Sequence, residues 1–263
     1  MSISKLASVA LAILVSGQFA AAQTAETGFL NRSVVIDGAD HAYQVYVPRQ
    51  YRPSTAWPII LALHGAGERG NDGLFQTEVG LGGAVRRHAD RFPAIIVFPQ
   101  RPAGGTWQDF GAKLALATLD KAMAEFRVDS SRVYLTGLSM GGNGAWYLAS
   151  RSPDKFAAVV VVCGFVSEWR GSSGNVYAGI APASAKDPFA EVARSVARIP
   201  IWIFHGGADP VVPVEESRRM ASALKAIGAN VQYSELPGVG HNSWDPAYDM
   251  PGLSAWMLAQ RRR

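Results

Sequence analysis

A succession of short, almost wholly apolar runs, set apart by stretches of helix length, constrains this chain most. Trp57–Leu63, Ala94–Phe98, Ala157–Cys163 and Pro200–His205 are too short for typical helices and too apolar for strands with one wet face. Each therefore predicts a strand buried on both sides. Arg132–Thr136 and Val231–Leu236 predict two more strands, and Ser33–Ile36 with His41–Val47 predicts an antiparallel pair at the start. Helices are expected over Lys113–Phe126, near Asn143–Ser150, over Glu215–Ile227 and near Leu253–Gln260. Strands that alternate with helices in this way imply an α/β architecture, a mostly parallel twisted sheet with helices on both faces. Sites in such sheets form beyond the carboxyl ends of the strands.

Composition narrows the class. Apolar residues make up 48% of the chain and charged residues 17%, which fits a packed enzyme-like domain and excludes a disordered one. The formal charge of +4 includes the terminal Arg261, Arg262 and Arg263, and no basic stripe interleaved with aromatics points to nucleic acid. The first 22 residues read as a signal peptide: Lys5, an apolar run Leu6–Val15, then the small residues Ala20, Ala21 and Ala22. An uncleaved anchor or a buried N-terminal helix is the competing reading. Cleavage would export residues 23–263, to the periplasm or beyond, as one catalytic domain with no remaining membrane span. Cys163 is the only cysteine, so no intrachain disulfide forms, and its place in an apolar run predicts a buried thiol.

Chemistry concentrates at three places. Gly137-Leu138-Ser139-Met140-Gly141 matches G-x-S-x-G between a predicted strand and a predicted helix, the setting of a nucleophile on a sharp turn. A serine needs a base. His241 is the candidate, in the glycine-containing loop after the last predicted strand. His41 falls in an early strand and His88 in a charged helical segment with Arg86 and Arg87, while His64 and His205 suit local bracing or packing. The acid should lie between serine and base in chain order, and Asp209 does, directly beyond the strand ending at His205. Asp187 lies too far upstream of a strand end, and Asp245 and Asp249 follow the base. An Asp209 that merely forms a turn before Pro210 is the bland alternative. For an oxyanion hole the candidates are the N–H of Met140 and that of Ala66, with Gly67 in the alternative register. Glu68 and Arg69 read either as an ion pair holding that loop or as a solvated pair.

With these residues in view, the chain resembles the exported esterases of the α/β-hydrolase superfamily. The resemblance rests on His64-Gly65-Ala66-Gly67-Glu68-Arg69-Gly70, the turn at Ser139, the segment His205–Asp209, and Gly240-His241. It covers roughly Val34 to Met257 and is strongest to the polyhydroxybutyrate-depolymerase-like, feruloyl-esterase-like and phospholipase/carboxylesterase branches. It implies an α/β-hydrolase fold, ester hydrolysis, and neither metal nor cofactor. No separate polymer-binding domain or linker is apparent, which points away from solid polyester.

Trp107 and Trp244 are candidate walls for an acyl or aryl pocket, with a core plug as the other reading of each. Only about two dozen residues separate Cys163 from the next helix, so a minimal cap and an open site are expected, suited to small or oligomeric, extended esters. Two further readings remain: a serine peptidase on the same scaffold, and a non-catalytic envelope binding protein.

Overall fold

The computed structural model describes residues 25–170, 176–182 and 184–262; the expected leader over residues 1–22 lies outside them. Ten strands are described: β1 Gly28–Ile36, β2 Ala39–Val47, β3 Trp57–Leu63, β4 Ile95–Pro99, β5 Val128–Leu138, β6 Ala158–Val162, β7 Trp169–Arg170, β8 Val176–Tyr177, β9 Ile201–Gly206 and β10 Val231–Leu236. The helices are α1 Leu81–Arg87, α2 Phe110–Glu125, α3 Met140–Arg151, α4 Pro188–Val196, α5 Glu215–Ala226, α6 Trp244–Asp249 and α7 Pro251–Ala259.

Eight strands form one sheet in the order β1-β2-β4-β3-β5-β6-β9-β10. β1 and β2 pair antiparallel, β2 joins β4 antiparallel, and every later pairing is parallel. Period-two alternation sends neighbouring residues to opposite faces. Ile59, Leu61, Val159 and Val161 pack toward α2, α3, α4 and α5, while Ile60, Ala62, Val160 and Val162 pack toward α1, α6 and α7. Both faces are covered, which is why the central strands carry no polar side.

Differences from the expected elements have local causes. β5 begins at Val128, which pairs with Trp57; the polar stretch Asp129–Arg132 bulges out before pairing resumes at Ile59 and Val133. α4 begins at a readable signal: Asp187 accepts from the N–H groups of Phe189 and Ala190, and Pro188 opens the helix. Asp187 is thus a helix cap. α3 starts directly after Ser139. Cys163 is fully buried as expected, yet it sits one residue past β6 with φ of 40°. Between Cys163 and α4, the described residues contain only the two-stranded β7–β8 ribbon, a small cap. No helix among the described residues is long and apolar enough to cross a membrane.

Candidate active site

Because β3, β5, β6, β9 and β10 run parallel, their carboxyl ends share one edge, and the loops leaving them meet there. Ser139 occupies the turn from β5 into α3 with φ of 52° and ψ of −116°. A non-glycine residue holds such a conformation only when its surroundings compel it. Here Ser139 N–H donates to Val162 O at 2.9 Å and Ser139 O accepts from Asn143 N–H at 3.0 Å. The turn also demands glycine on either side. A Cβ on Gly137 would stand 2.0 Å from Gly141 O, and one on Gly141 would stand 2.1 Å from Leu63 O.

Ser139 Oγ lies 3.0 Å from His241 Nε2, and His241 Nδ1 lies 2.8 Å from Asp209 Oδ2. Three residues far apart in sequence are brought together. The Asp209 side chain is completely buried, and four groups approach it. Oδ1 accepts from Val211 N–H at 2.8 Å and Val212 N–H at 3.0 Å. Oδ2 faces His241 and, at 3.2 Å, His205 Nε2. Burial alone would raise this carboxyl, but the contacts from His205, His241 and Val211 outweigh it and hold Asp209 well below the usual carboxylate range. It is an anion at any working pH. The turn-forming and histidine-holding readings of Asp209 both describe the same residue.

His205 was expected only to bond locally; its contact with Asp209 is the residue relation the sequence reading missed. Its ring is fully buried, with Nδ1 2.7 Å from Ser217 Oγ and Nε2 3.1 Å from Val212 O. A hydroxyl donating to Nδ1 leaves the ring proton on Nε2, facing Asp209. The four-residue spacing of His205 and Asp209 across the strand end was the available signal. His64 braces a loop as expected. Its Nδ1 contacts Gly65 O at 2.6 Å, and its Nε2 accepts from Arg101 N–H at 2.9 Å. Burial, aided by Arg69 and Arg101, lowers it to about 4. His41 packs against Phe110, and His88 lies 3.7 Å from Asp249, both away from this edge.

A cavity of about 260 Å³ opens over Ser139 and His241. Gly65, Ala66, Gly67 and Glu68 form one side, with Met140 beside the serine, so both oxyanion-hole candidates and the Gly67 alternative border it. Phe165, Tyr177, Val211 and Trp244 form apolar walls. Trp244 also meets the His241 ring edge-on, with centroids 5.3 Å apart. Trp107 requires correction. It has no exposed surface, donates from Nε1 to His64 O at 2.9 Å, and packs where a Cβ on Gly144 would stand 2.3 Å from its own Cβ. A glycine in α3 admits it as a plug, away from the cavity. The expected alternative of a Glu68–Arg69 ion pair also fails: among the described residues no ion pair joins them, the backbone N–H groups of Gly65 and Glu68 hold the Glu68 carboxyl, and Arg69 Nε is buried without a hydrogen-bond partner. A larger groove of about 810 Å³ lies at the opposite end of the sheet, between Pro153 and Arg262, and holds none of the converging groups.

Cys163, Asp209 and His241 offer donor atoms within 4.8 Å of one another, the one grouping of that kind among the described residues. Burial pushes the thiol up to about 12, and His241 Nδ1 is already engaged by Asp209. Those donors suit proton transfer better than coordination of a cation.

Comparison with known proteins bears on family and fold. The family model "Esterase", described as "Putative esterase", matches residues 35–245. Acetylxylan esterase A of Emericella nidulans is 24% identical over 250 residues, covering 76% of this chain and 80% of its own. An uncharacterized secreted protein of Arthroderma benhamiae is 26% identical over 215 residues, covering 72% of this chain. The chain spans 22%, 23% and 53% of the length of three curated relatives it matches. A thermostable esterase of known structure superposes with a TM-score of 0.74 at 29% identity, covering 89% of this chain and 63% of the other.

Proposed function

The chain belongs to the Esterase family and has the α/β-hydrolase fold, and from that premise we propose that it hydrolyses carboxylic esters through a serine acyl-enzyme. Ser139 is the nucleophile, His241 the general base and Asp209 the acid that orients the base. The observation that supports this reading is the relay from Ser139 Oγ through the imidazole to Asp209, opening into a cavity.

Nε2 of His241 takes the hydroxyl proton as Oγ bonds to the ester carbon and the carbonyl electron pair moves onto oxygen. The N–H groups of Met140 and Ala66 are the proposed partners of that oxyanion. On collapse the alcohol leaves with the proton held on Nε2. Water then gives a proton to the same nitrogen, attacks the acyl carbon, and Oγ recovers the proton as the carboxylic acid departs. Asp209, already anionic, stabilises each imidazolium. His205 is a positioning residue, fixing the carboxylate that fixes the base.

At about 260 Å³ the cavity is small for a ligand site, and its walls at Phe165, Tyr177 and Trp244 are aromatic. That favours esters with a small or planar group at the carbonyl, the rest extending outward past the small cap. The apolar N-terminal run and the secreted relative support export of residues 23–263 as one catalytic domain. A fluorophosphonate should label the protein and fail to label Ser139→Ala, with turnover of a chromogenic ester lost in parallel. A wild-type protein that resists labelling would overturn the serine mechanism.

A further inference from the structure

One carboxyl at the cavity takes no part in the steps above. Glu68, in the loop after β3, is half-buried and lines the cavity with Gly65, Ala66 and Gly67. Its Oε2 is sealed from solvent, and the carboxyl turns back on its own loop, accepting from the backbone N–H groups of Gly65 and Glu68. Gly65 makes that close approach possible: a Cβ there would stand 3.0 Å from Glu68 Oε2 and 2.9 Å from Leu138 Cδ1. The carbonyls of the loop are held as well. His64 O accepts from Trp107 Nε1 at 2.9 Å, Gly65 O lies 2.6 Å from His64 Nδ1, and Glu68 O accepts from Gln100 Nε2 at 3.2 Å.

Every backbone donor of this loop needs an acceptor. Gly70 N–H donates to Arg101 O at 3.0 Å, and the Glu68 carboxyl takes the N–H groups of Gly65 and Glu68. Those of Ala66 and Gly67 find no acceptor among the described residues, and both residues border the cavity over Ser139. Arg69 N–H has none either, but Arg69 is not part of the cavity wall. The carboxyl thus pins the donors on either side of the pair left for an oxyanion. We propose that Glu68 is a positioning residue: it tethers the loop so that the N–H groups of Ala66 and Gly67 stay aimed at the place where the ester oxygen gathers charge. This rests on the serine-esterase reading and deepens it. Burial raises the carboxyl above its ordinary range, while the two N–H groups and His241 pull it back toward the anion, the stronger acceptor for both donors.

The test separates aim from stability. Glu68→Leu, which fills the place without an acceptor, should lower kcat on a chromogenic ester by roughly 10², the scale of one displaced oxyanion donor, with KM changed less than about threefold. An alkyl trifluoromethyl ketone, whose adduct on the serine carries an oxyanion, should lose affinity by a similar factor. Glu68→Gln keeps one acceptor and should recover most of the loss, to within about tenfold of wild type. A folded Glu68→Leu with kcat within about threefold of wild type overturns the proposal. So does a loss carried by KM with ketone affinity unchanged, the mark of a merely structural residue. Amide hydrogen exchange on the wild type decides the matter even if Glu68→Leu does not fold. Gly65 and Glu68 should be protected while Ala66 and Gly67 exchange fast, and equal or reversed protection would end the idea. Fluorophosphonate labelling of the wild type is scored apart: a protein with protected Gly65 and Glu68 amides that is never labelled would refute the serine mechanism and leave the tether standing.

Discussion

Two imidazoles flank Asp209, one at the end of β9 and one in the loop after β10, and the protein treats them in opposite ways. His205 is wholly buried and has both ring nitrogens occupied, by Ser217 on one side and by Val212 and Asp209 on the other. The His241 side chain keeps 20% of its surface accessible, with one nitrogen on Asp209 and the other on Ser139, at a cavity. The same side chain is a prop where every lone pair and proton is committed within the fold, and the proposed base where one nitrogen ends on the Ser139 hydroxyl. Sequence places both beside strand ends. Only their second partners tell them apart.

That contrast can be broken in order of force. Ser139→Ala and His241→Ala should each lower kcat on a chromogenic ester on the order of 10⁶, and the double variant should lose little more, because the two act as a unit. Asp209→Asn should cost roughly 10⁴ by admitting the wrong tautomer of the base. His205→Leu removes the prop but not the base, so the expected kcat loss is about 10 to 10², with KM little changed. A loss as deep as that of His241→Ala would erase the distinction drawn above.

His64 sharpens the contrast as a third imidazole, also on the prop side. Its value in the fold, about 4, lies below its ordinary 6.5. Stability is therefore full above about pH 6.5 and falls as the unfolded chain takes a proton that the buried ring refuses. The loss levels off near pH 4, at roughly 3 kcal/mol from this residue. Denaturant midpoints at pH 7 and 4.5 should differ in that direction, and His64→Gln should flatten the difference. The smallest effect is expected at Trp244→Ala, a rise in KM of roughly tenfold or less with kcat nearly kept, since the indole borders both cavity and imidazole. A kcat loss above about 10² would mean that its edge contact with His241 matters more than its wall.

Much of the fold was legible because burial on two sides writes itself into sequence: Ile59–Leu63 and Ala158–Val162 are apolar without a gap. The convergence of Ser139, Asp209 and His241 was legible for a related reason, since parallel strands put every following loop at one edge. What escaped depends on where side chains end up. Trp107 and Trp244 both follow glycine-containing loops, and nothing local says that Gly144, in a helix more than thirty residues on, makes a slot for the first. α1 was legible only at its end, in the charged helical segment of Arg86 and Arg87; Gly82 and Gly83 disguise its start, which packing holds through Leu81, Ala84 and Val85. Phe165 and Tyr177 reach the cavity from a stretch with no periodic signal.

Glu216, at the start of α5, has one more consequence. Its buried carboxylate accepts from the N–H groups of Val166 and Ser167 and from Ser167 Oγ, while Ile180 N–H donates to Val166 O at 3.0 Å. The segment that brings Phe165 and Tyr177 to the cavity thus hangs between two fixed posts, one of them on the helix that follows the Asp209 turn. A drawbridge can be rebuilt between its towers. Larger or smaller side chains at Tyr177 would reshape the cavity wall while leaving the sheet edge beneath it undisturbed.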